Sequence, residues 1–537
     1  MSHLSAPALE QSGSSPLPAP GAASARSEQR EREAALLALR ELVQPNEMAY
    51  RRARLKGATR FFGLDLHREY VVAFAVDEAL NPVVKPTTLA WERFPAWCAR
   101  TLCKTDAVVI EMTTNTWATY DELLPHVHSV TVVHPQHLKV ITSVPVMTDR
   151  RACEALASFL AAGLLRGLWV PEHKYREWRR LVAQRDDCVV RMAIAKMRLQ
   201  SLLFAKQIPK PDASNAFRAS LRDWWLSLPG TPAEKLTVEL LIAQIEHDKA
   251  QIARLDLIMA QEVMTDDRAP FLLQIAGIGL LGAMKILAAI GPIERFPSPE
   301  HLVGYAGLGG KVHASGQRTV QGGITKRGRA DLRSALIIAA RHARNVNTHW
   351  KAVYRSLEPR IGRNKAIVAL ARRMLVSVWH ILTKRQPDRY ADWEKVASNL
   401  MSIAYSDFGG AEHIPGGRTA PQFTRWCLDT VGVCEWMQRV KFSGKTYILP
   451  RSTLPGAAPE AEPIGRGRRQ NSRQAQAERL KLAEAKRAEL VKKQAEAETR
   501  RGKPRKTRAD KGTRRGPNRI TTSKPASVKT RAVIKVK

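Results

Sequence analysis

Three carboxylates far apart in the sequence stand where they could act together on a phosphodiester. Asp65 lies in the apolar run FFGLDL, with Leu64 and Leu66 on the other face of a strand. Glu111 closes the run AVVIE, and Asp149 opens a stretch of helical spacing from Arg150 to Leu165. Clustered acids of this kind hold Mg²⁺ or Mn²⁺ so that both the attacking and the leaving oxygen of a phosphoryl displacement are stabilised. Taken singly, an Asp at a strand end is more often a cap or turn residue. The reading therefore depends on whether the elements bring the three together. Four histidines, His126, His128, His134 and His137, precede Asp149, but their spacing fits no common zinc pattern. The six cysteines contain no CxxC pair and read as mostly buried fillers in a reducing compartment. Ser315 stands before Gly316, a common turn arrangement.

The elements that must position these residues follow from periodicity. Residues 61–66 and 70–76 read as two strands joined through His67–Glu69, and residues 83–89 as a third. A helix is expected from Trp91 to Cys103, and strands at Ala107–Glu111 and Ser129–His134. Three strands, a helix, a strand, a helix, a strand and a helix is the order of an α/β RNase H-like (RuvC-like) domain. In such a sheet the first and fourth strands are neighbours and the last helix crosses beside them, so the three acids can converge.

Beyond residue 172 the pattern is helical. Trp178, Leu181, Arg185, Cys188, Met192, Ala195, Leu199 and Leu202 recur by threes and fours, as do Val238, Leu241, Ile245, Asp248, Ile252, Leu255 and Met259. This is a coiled-coil seam with one polar break in each helix, or two ordinary amphipathic helices packed together. The seam can pair within one chain or between chains. A mainly α domain follows, in which Gly277 and Gly279 sit between two apolar helical stretches. That arrangement suits a helix-hairpin-helix-like element whose turn amides face a DNA phosphate, or a simple tight turn. The expected organisation is a disordered arm (1–58), the RuvC-like domain (59–172), the helical spacer (173–262), a second domain (263–385), an accessory segment with Trp393, Trp426 and Trp436 (386–460), and a basic, mostly disordered tail (461–537).

Lys and Arg number 86 against 50 Asp and Glu, a formal net charge of +36 in 537 residues. The last 72 residues alone hold 25 Lys or Arg and 6 Asp or Glu, a net of +19. Such an excess suits a polyanionic partner, because each cation placed on a phosphate releases condensed counterions. A protein that merely coats nucleic acid has the same signature. No apolar run is expected to cross a membrane, and the simplest location is the cytoplasm, on the nucleoid.

The sequence also resembles a known family over roughly residues 60–380, the DEDD-type transposases of insertion-sequence family one-ten. GLDLH around Asp65, VVIEMT around Glu111 and the stretch from VVHPQHLKV through TDRRACEALASFL resemble its three acidic regions. GIGLLGAMKILAAIG, YAGLGG, HASGQ and KRGRADLRSALIIAA resemble its second conserved domain. The resemblance implies that Asp65, Glu111 and Asp149 bind metal. It implies that Ser315 is the nucleophile of strand exchange, and that the partner is DNA, with an element-encoded guide RNA in at least some members. A homo-oligomer, dimer or tetramer, is the corresponding expectation. Lys326, Arg327 and Arg333 become candidate phosphate contacts, or else a solvated basic face.

The chain departs from this pattern at the fourth acid, where Ala152 stands, and Met147 replaces a basic residue. Glu154 is nearby, but five residues along a regular helix it points roughly 140° away from Asp149. It serves as a metal ligand only if that helix begins irregularly. Two alternatives stand beside a transposase: a site-specific invertase on the same scaffold, and, motivated by Ala152, a non-catalytic nucleic-acid-binding derivative.

Overall fold

A computed structural model describes residues 55–135, 148–211, 213–315, 318–409 and 411–461. Most of the expected N-terminal arm, nearly all of the basic tail, and His137, Met147 and Gly316 lie outside the described residues.

The first described layer is a five-stranded sheet. β1 (Arg60–Leu66), β2 (Tyr70–Asp77) and β3 (Pro82–Ala90) run antiparallel, and β4 (Asp106–Glu111) and β5 (Ser129–Val133) run parallel to β1. The order across the sheet is β3-β2-β1-β4-β5. Strand alternation splits the apolar residues between two faces. Phe62, Leu64, Val108 and Ile110 bury one face against α1 (Phe94–Thr101) and α2 (Thr116–Leu123). Phe61, Val72, Ala107 and Val109 bury the other against α3 (Asp149–Ala161).

α3 can lie close because β1 carries glycine under it. A Cβ at Gly63 would stand 2.2 Å from the Cys153 carbonyl oxygen and 2.8 Å from the Ala157 nitrogen. The Cys153 thiol donates to the Val72 carbonyl at 3.1 Å, holding the same helix to β2. At the far end of β1, Arg60 makes a bidentate pair with the fully buried Asp106, both bonds 2.7 Å, which pins β1 to β4.

The helical pair predicted downstream is α4 (His173–Ala205) and α5 (Pro232–Val263), which pack on each other within this chain. The two polar breaks are paired. Arg185 binds Asp256 at 2.6 Å, and the buried Asp248 accepts from Arg191 at 3.0 Å and from Gln244 at 2.8 Å. Burial of Asp248 is tolerable because its oxygens are satisfied. Thr231 and Glu234 form a capping box that starts α5.

The remainder is mostly helical, with α6 (Ala269–Leu273), α7 (Leu280–Ile290), α8 (Pro299–Tyr305), α9 (Ala330–Val346), α10 (Thr348–Ile361), α11 (Arg363–Lys384), α12 (Trp393–Ser406) and α13 (Ala420–Val431). Two hairpins interrupt them, β6 (Gly310–Ser315) with β7 (Arg318–Ile324), and β8 (Arg439–Phe442) with β9 (Lys445–Ile448). One apolar core runs from Met259 through α7, α9 and α11 to Val396, Phe423 and Leu449, so the 386–460 segment shares the core of the residues before it. Arg425 in α13 donates to the carbonyls of Cys434, Met437 and Pro450, which ties the last hairpin to that helix.

Among the described helices, α11 alone is long and apolar enough by composition to cross a membrane. Its face from Ile367 through Leu370, Met374, Val378 and Ile381 is buried in the core, and Arg372 and Arg373 stand on its exposed side. It is the central helix of a packed bundle.

Candidate functional site

Asp65 points to the α3 face of the sheet by alternation from Phe61 and Gly63. His67, two residues on, keeps that parity just past the end of β1. Its backbone is held on three sides. Its N–H donates to Tyr70 O at 3.0 Å, and its carbonyl accepts from Trp91 Nε1 and Asn115 Nδ2, each at 3.2 Å. Asp149 is the first residue of α3, which starts on a Thr148 side chain that accepts from the Arg151 N–H.

These three side chains meet. One ligand atom from each of Asp65, His67 and Asp149 lies within 4.8 Å of the others. His67 Nε2 stands 3.3 Å from Asp65 Oδ2 and 3.3 Å from Asp149 Oδ2. It is buried, yet it makes no hydrogen bond of acceptable geometry to either. Tyr70 packs its ring 4.6 Å from that of His67 and donates its hydroxyl to Asp149 Oδ2 at 3.0 Å. That bond to a carboxylate pushes the Tyr70 pKa up. Burial raises the Asp65 pKa, His67 opposes the rise, and the Asp149 charge adds to it. Two carboxylates and an orphaned buried imidazole nitrogen are a donor set that suits a divalent cation.

The other expected ligands stand differently. Glu111 ends β4 one position beyond the Leu64–Ile110 pairing, on the same face as Ala107 and Val109, so the backbone places it beside Asp65. It is not a member of the three-residue group. Glu154 accepts from Arg150 Nε at 3.0 Å, one turn back along α3. Ala152 is half-buried on the same helix, where it gives the group no ligand. The pattern of acids does not single out His67. The signal that could have found it is its i+2 relation to Asp65 in DLH.

Ser315 is the last residue of β6 and pairs with Arg318 across the hairpin, on a sheet separate from that of Asp65. Downstream, Lys326 has φ of 56°, donates its N–H to Gly307 O at 3.2 Å and is exposed, as is Arg327. Arg333 is half-buried and donates to the Ala306 carbonyl at 2.9 Å, which holds the 305–307 turn to α9. Gly277 and Gly279 form the turn before α7. Gly277 has φ of 88°, and a Cβ there would stand 2.3 Å from Ala339 O, so packing on α9 demands glycine. Gly279 has an ordinary φ of −102° and nothing within 4 Å of its missing Cβ.

Parts of the chain are similar to known proteins. The model of the transposase IS116/IS110/IS902 family matches residues 269–355, from α6 into α10. The transposase for insertion sequence element IS1111A of Coxiella burnetii (strain RSA 493 / Nine Mile phase I) is 35% identical over 119 residues, 21% of this chain and 33% of that protein. A Sinorhizobium fredii (strain NBRC 101917 / NGR234) protein, provisionally named as transposase y4qE, is 25% identical over 240 residues, 44% of this chain and 55% of its own length. The matches thus span between a third and just over half of these relatives. Residues 269–355 thus resemble the transposase IS116/IS110/IS902 family, and parts of the chain are similar to insertion-sequence transposases.

Proposed function

We propose that this chain is the DNA transposase of an insertion sequence, which cuts strands at a divalent-metal centre and rejoins them with Ser315 as nucleophile. The observation that carries the reading is the convergence of Asp65 and His67, at the end of β1, with Asp149, at the start of α3, to within 4.8 Å. Asp65 and Asp149 would hold Mg²⁺ or Mn²⁺, with His67 as a nitrogen donor and Glu111 beside them. When bound, the metal supplies charge stabilisation at the phosphoryl oxygens. Ser315 needs a base to take its proton before it can attack phosphorus. A sheet of three antiparallel strands extended by two parallel ones fits an RNase H-like (RuvC-like) domain over 59–172. The packed pair α4–α5 fits a coiled-coil spacer, followed by a serine-bearing domain over 263–385.

DNA is the partner on this reading, and an element-encoded guide RNA the second. The net charge of +36 and the exposed Lys326 and Arg327 support a polyanion. Val190, Ile194 and Met197 lie exposed at three- and four-residue spacing on α4, which supports a homo-oligomer, dimer or tetramer. The expected place of work is the cytoplasm, on the nucleoid. The second reading is a non-catalytic nucleic-acid binder, and Ala152 at the place of an acid favours it.

Excision from a plasmid carrying the element's ends tests the proposal. The parent should excise in Mg²⁺ or Mn²⁺ and leave a covalent protein–DNA adduct. Ser315→Ala should lose both while still binding the ends. Normal excision by Ser315→Ala would overturn the nucleophile, and a parent that binds the ends without cutting them would establish the binder.

A further inference from the structure

The turn at Gly277–Gly279 borders a cavity of about 640 Å³. Its opposite wall comes from α12, through Lys395, Asn399 and Ser402, and from Phe442 at the end of β8. The accessory segment after residue 385 therefore closes over the glycine turn.

Three features of this cavity are unexplained by folding alone. Gln274, which lines it, is only 2% exposed; its oxygen accepts from Asp388 N at 2.8 Å while its Nε2 has no acceptor. An orphaned buried donor beside a cavity costs free energy unless something in the cavity accepts from it. Secondly, α7 begins at Gly279 with no side-chain cap. Its N-cap Gly279 lines the cavity, so the uncapped, partly positive end of the helix borders that wall. Thirdly, Gly279 is glycine although neither its backbone angle nor any neighbour requires it. Glycine there leaves room for close approach by another molecule.

A second hollow of about 630 Å³ adjoins the first through His342, which lines both. Arg341, Arg344 and Arg363 line it, and Arg344 Nε is buried without an acceptor. The carboxylate that borders the first cavity, Asp392, is paired with Lys395 at 2.6 Å. The pair is a chamber with apolar sides (Ile278, Val346, Val396 and Phe442), one spare donor and a helix N-terminus, continued by an arginine-lined groove. Its size is that of a ligand pocket. Its chemistry suits a flat heteroaromatic ring with a phosphate attached, and the groove suits further phosphates on the same strand.

We propose that the cavity between the Gly277–Gly279 turn and α12 receives one unpaired nucleotide of a nucleic-acid strand, whose neighbouring phosphates lie along the Arg341–Arg344–Arg363 groove. The inference rests on the nucleic-acid reading above and gives the accessory segment its role. The strand is DNA or RNA, since the shared chemistry is the base and its phosphate.

The test uses the full chain and dye-labelled duplexes that are fully paired or carry one central bulged nucleotide, deoxy or ribo. The parent should bind the bulged duplex about tenfold more tightly, the scale of one base stacked in a protein site. Ser402→Trp fills the cavity from α12 and should abolish that preference while affinity for the paired duplex stays. Asn399→Trp fills it from one turn earlier on α12, at an exposed position, and should do the same if the Ser402 variant does not fold. A ribo-over-deoxy preference would assign the strand as RNA, and equal binding of the two bulges or a deoxy preference would assign it as DNA. Equal affinity of the parent for bulged and paired duplexes, or a preference that survives both fillings, would overturn the pocket. If excision proceeds normally in that case, only the pocket falls; if the parent binds no duplex at all, the transposase reading falls with it.

Discussion

Asp65 is the residue on which metal binding and stability pull in opposite directions. Its carboxyl pKa is raised by burial and by the charge of Asp149, against the influence of His67. A raised folded-state pKa gives stability that is present below the unfolded value of about 3.9 and lost as pH rises through the folded value. At neutral pH in chelator the ionised Asp65 therefore strains the fold, and Asp65→Asn should melt a few degrees higher than the parent. Addition of Mn²⁺ should raise the parent's Tm and leave the variant's unchanged. A variant that melts well below the parent without metal would mark Asp65 as a structural cap. Ala152 and Glu154 give a second test at this scale. Ala152→Asp adds a carboxylate one turn from Asp149 on α3 and should tighten Mg²⁺ binding by about tenfold, roughly 1.4 kcal/mol. Glu154 is held by Arg150, so Glu154→Gln should change the affinity little. Calorimetric titration of both variants decides between them, and a severe loss in Glu154→Gln would make Glu154 the fourth ligand.

At the scale of elements, the centre exists because α3 lies against β1 at glycine. Gly63→Ala would force a Cβ to within 2.2 Å of a backbone carbonyl, which no rotamer change relieves. The helix must move, and Asp149 with it. The expected cost is about 1–3 kcal/mol of stability, from overpacking, together with a loss of metal affinity larger than Ala substitution elsewhere on the sheet produces. Urea unfolding and metal titration read the two effects separately. If Gly63→Ala unfolds the sheet without changing metal affinity in the folded fraction, the coupling between α3 and the centre is absent. The β6–β7 hairpin is the contrasting element, with Ser315 at its end and a register shift near Gly310, on its own two-stranded sheet.

At the scale of the whole molecule, charge dominates. About half of the net +36 lies in residues 466–537, which carry +19. If this segment binds phosphates without reading sequence, its deletion should weaken binding to every duplex alike and flatten the dependence of log K on log salt. The slope falls by about 0.9 for each phosphate that the shortened chain leaves unneutralised. Anisotropy titrations across a salt series check this, and a change of target preference with an unaltered slope would contradict it.

Much of the local structure is legible in the sequence because it is written in single-element periodicity. The runs around Asp65 and Glu111 alternate as half-buried or buried strands do, and the repeats by threes and fours after residue 172 specify α4 and α5 without any knowledge of their partners. The strand order and the motifs resembling a transposase family are legible for the same reason, as linear patterns. Convergence is not, because it depends on which strands lie adjacent and how closely a helix can approach them. His67 and Asp65 meet Asp149 only because the sheet, the hairpin at Tyr70 and the Gly63 contact bring two distant segments together. Glu154 pairs with Arg150 rather than with the acids because α3 begins as a regular helix on its Thr148 cap. The segment after residue 385 carries aromatic residues but no pattern that names its neighbour. Long-range apolar packing sets it into the core of α7, α9 and α11, and so closes the cavity over the glycine turn.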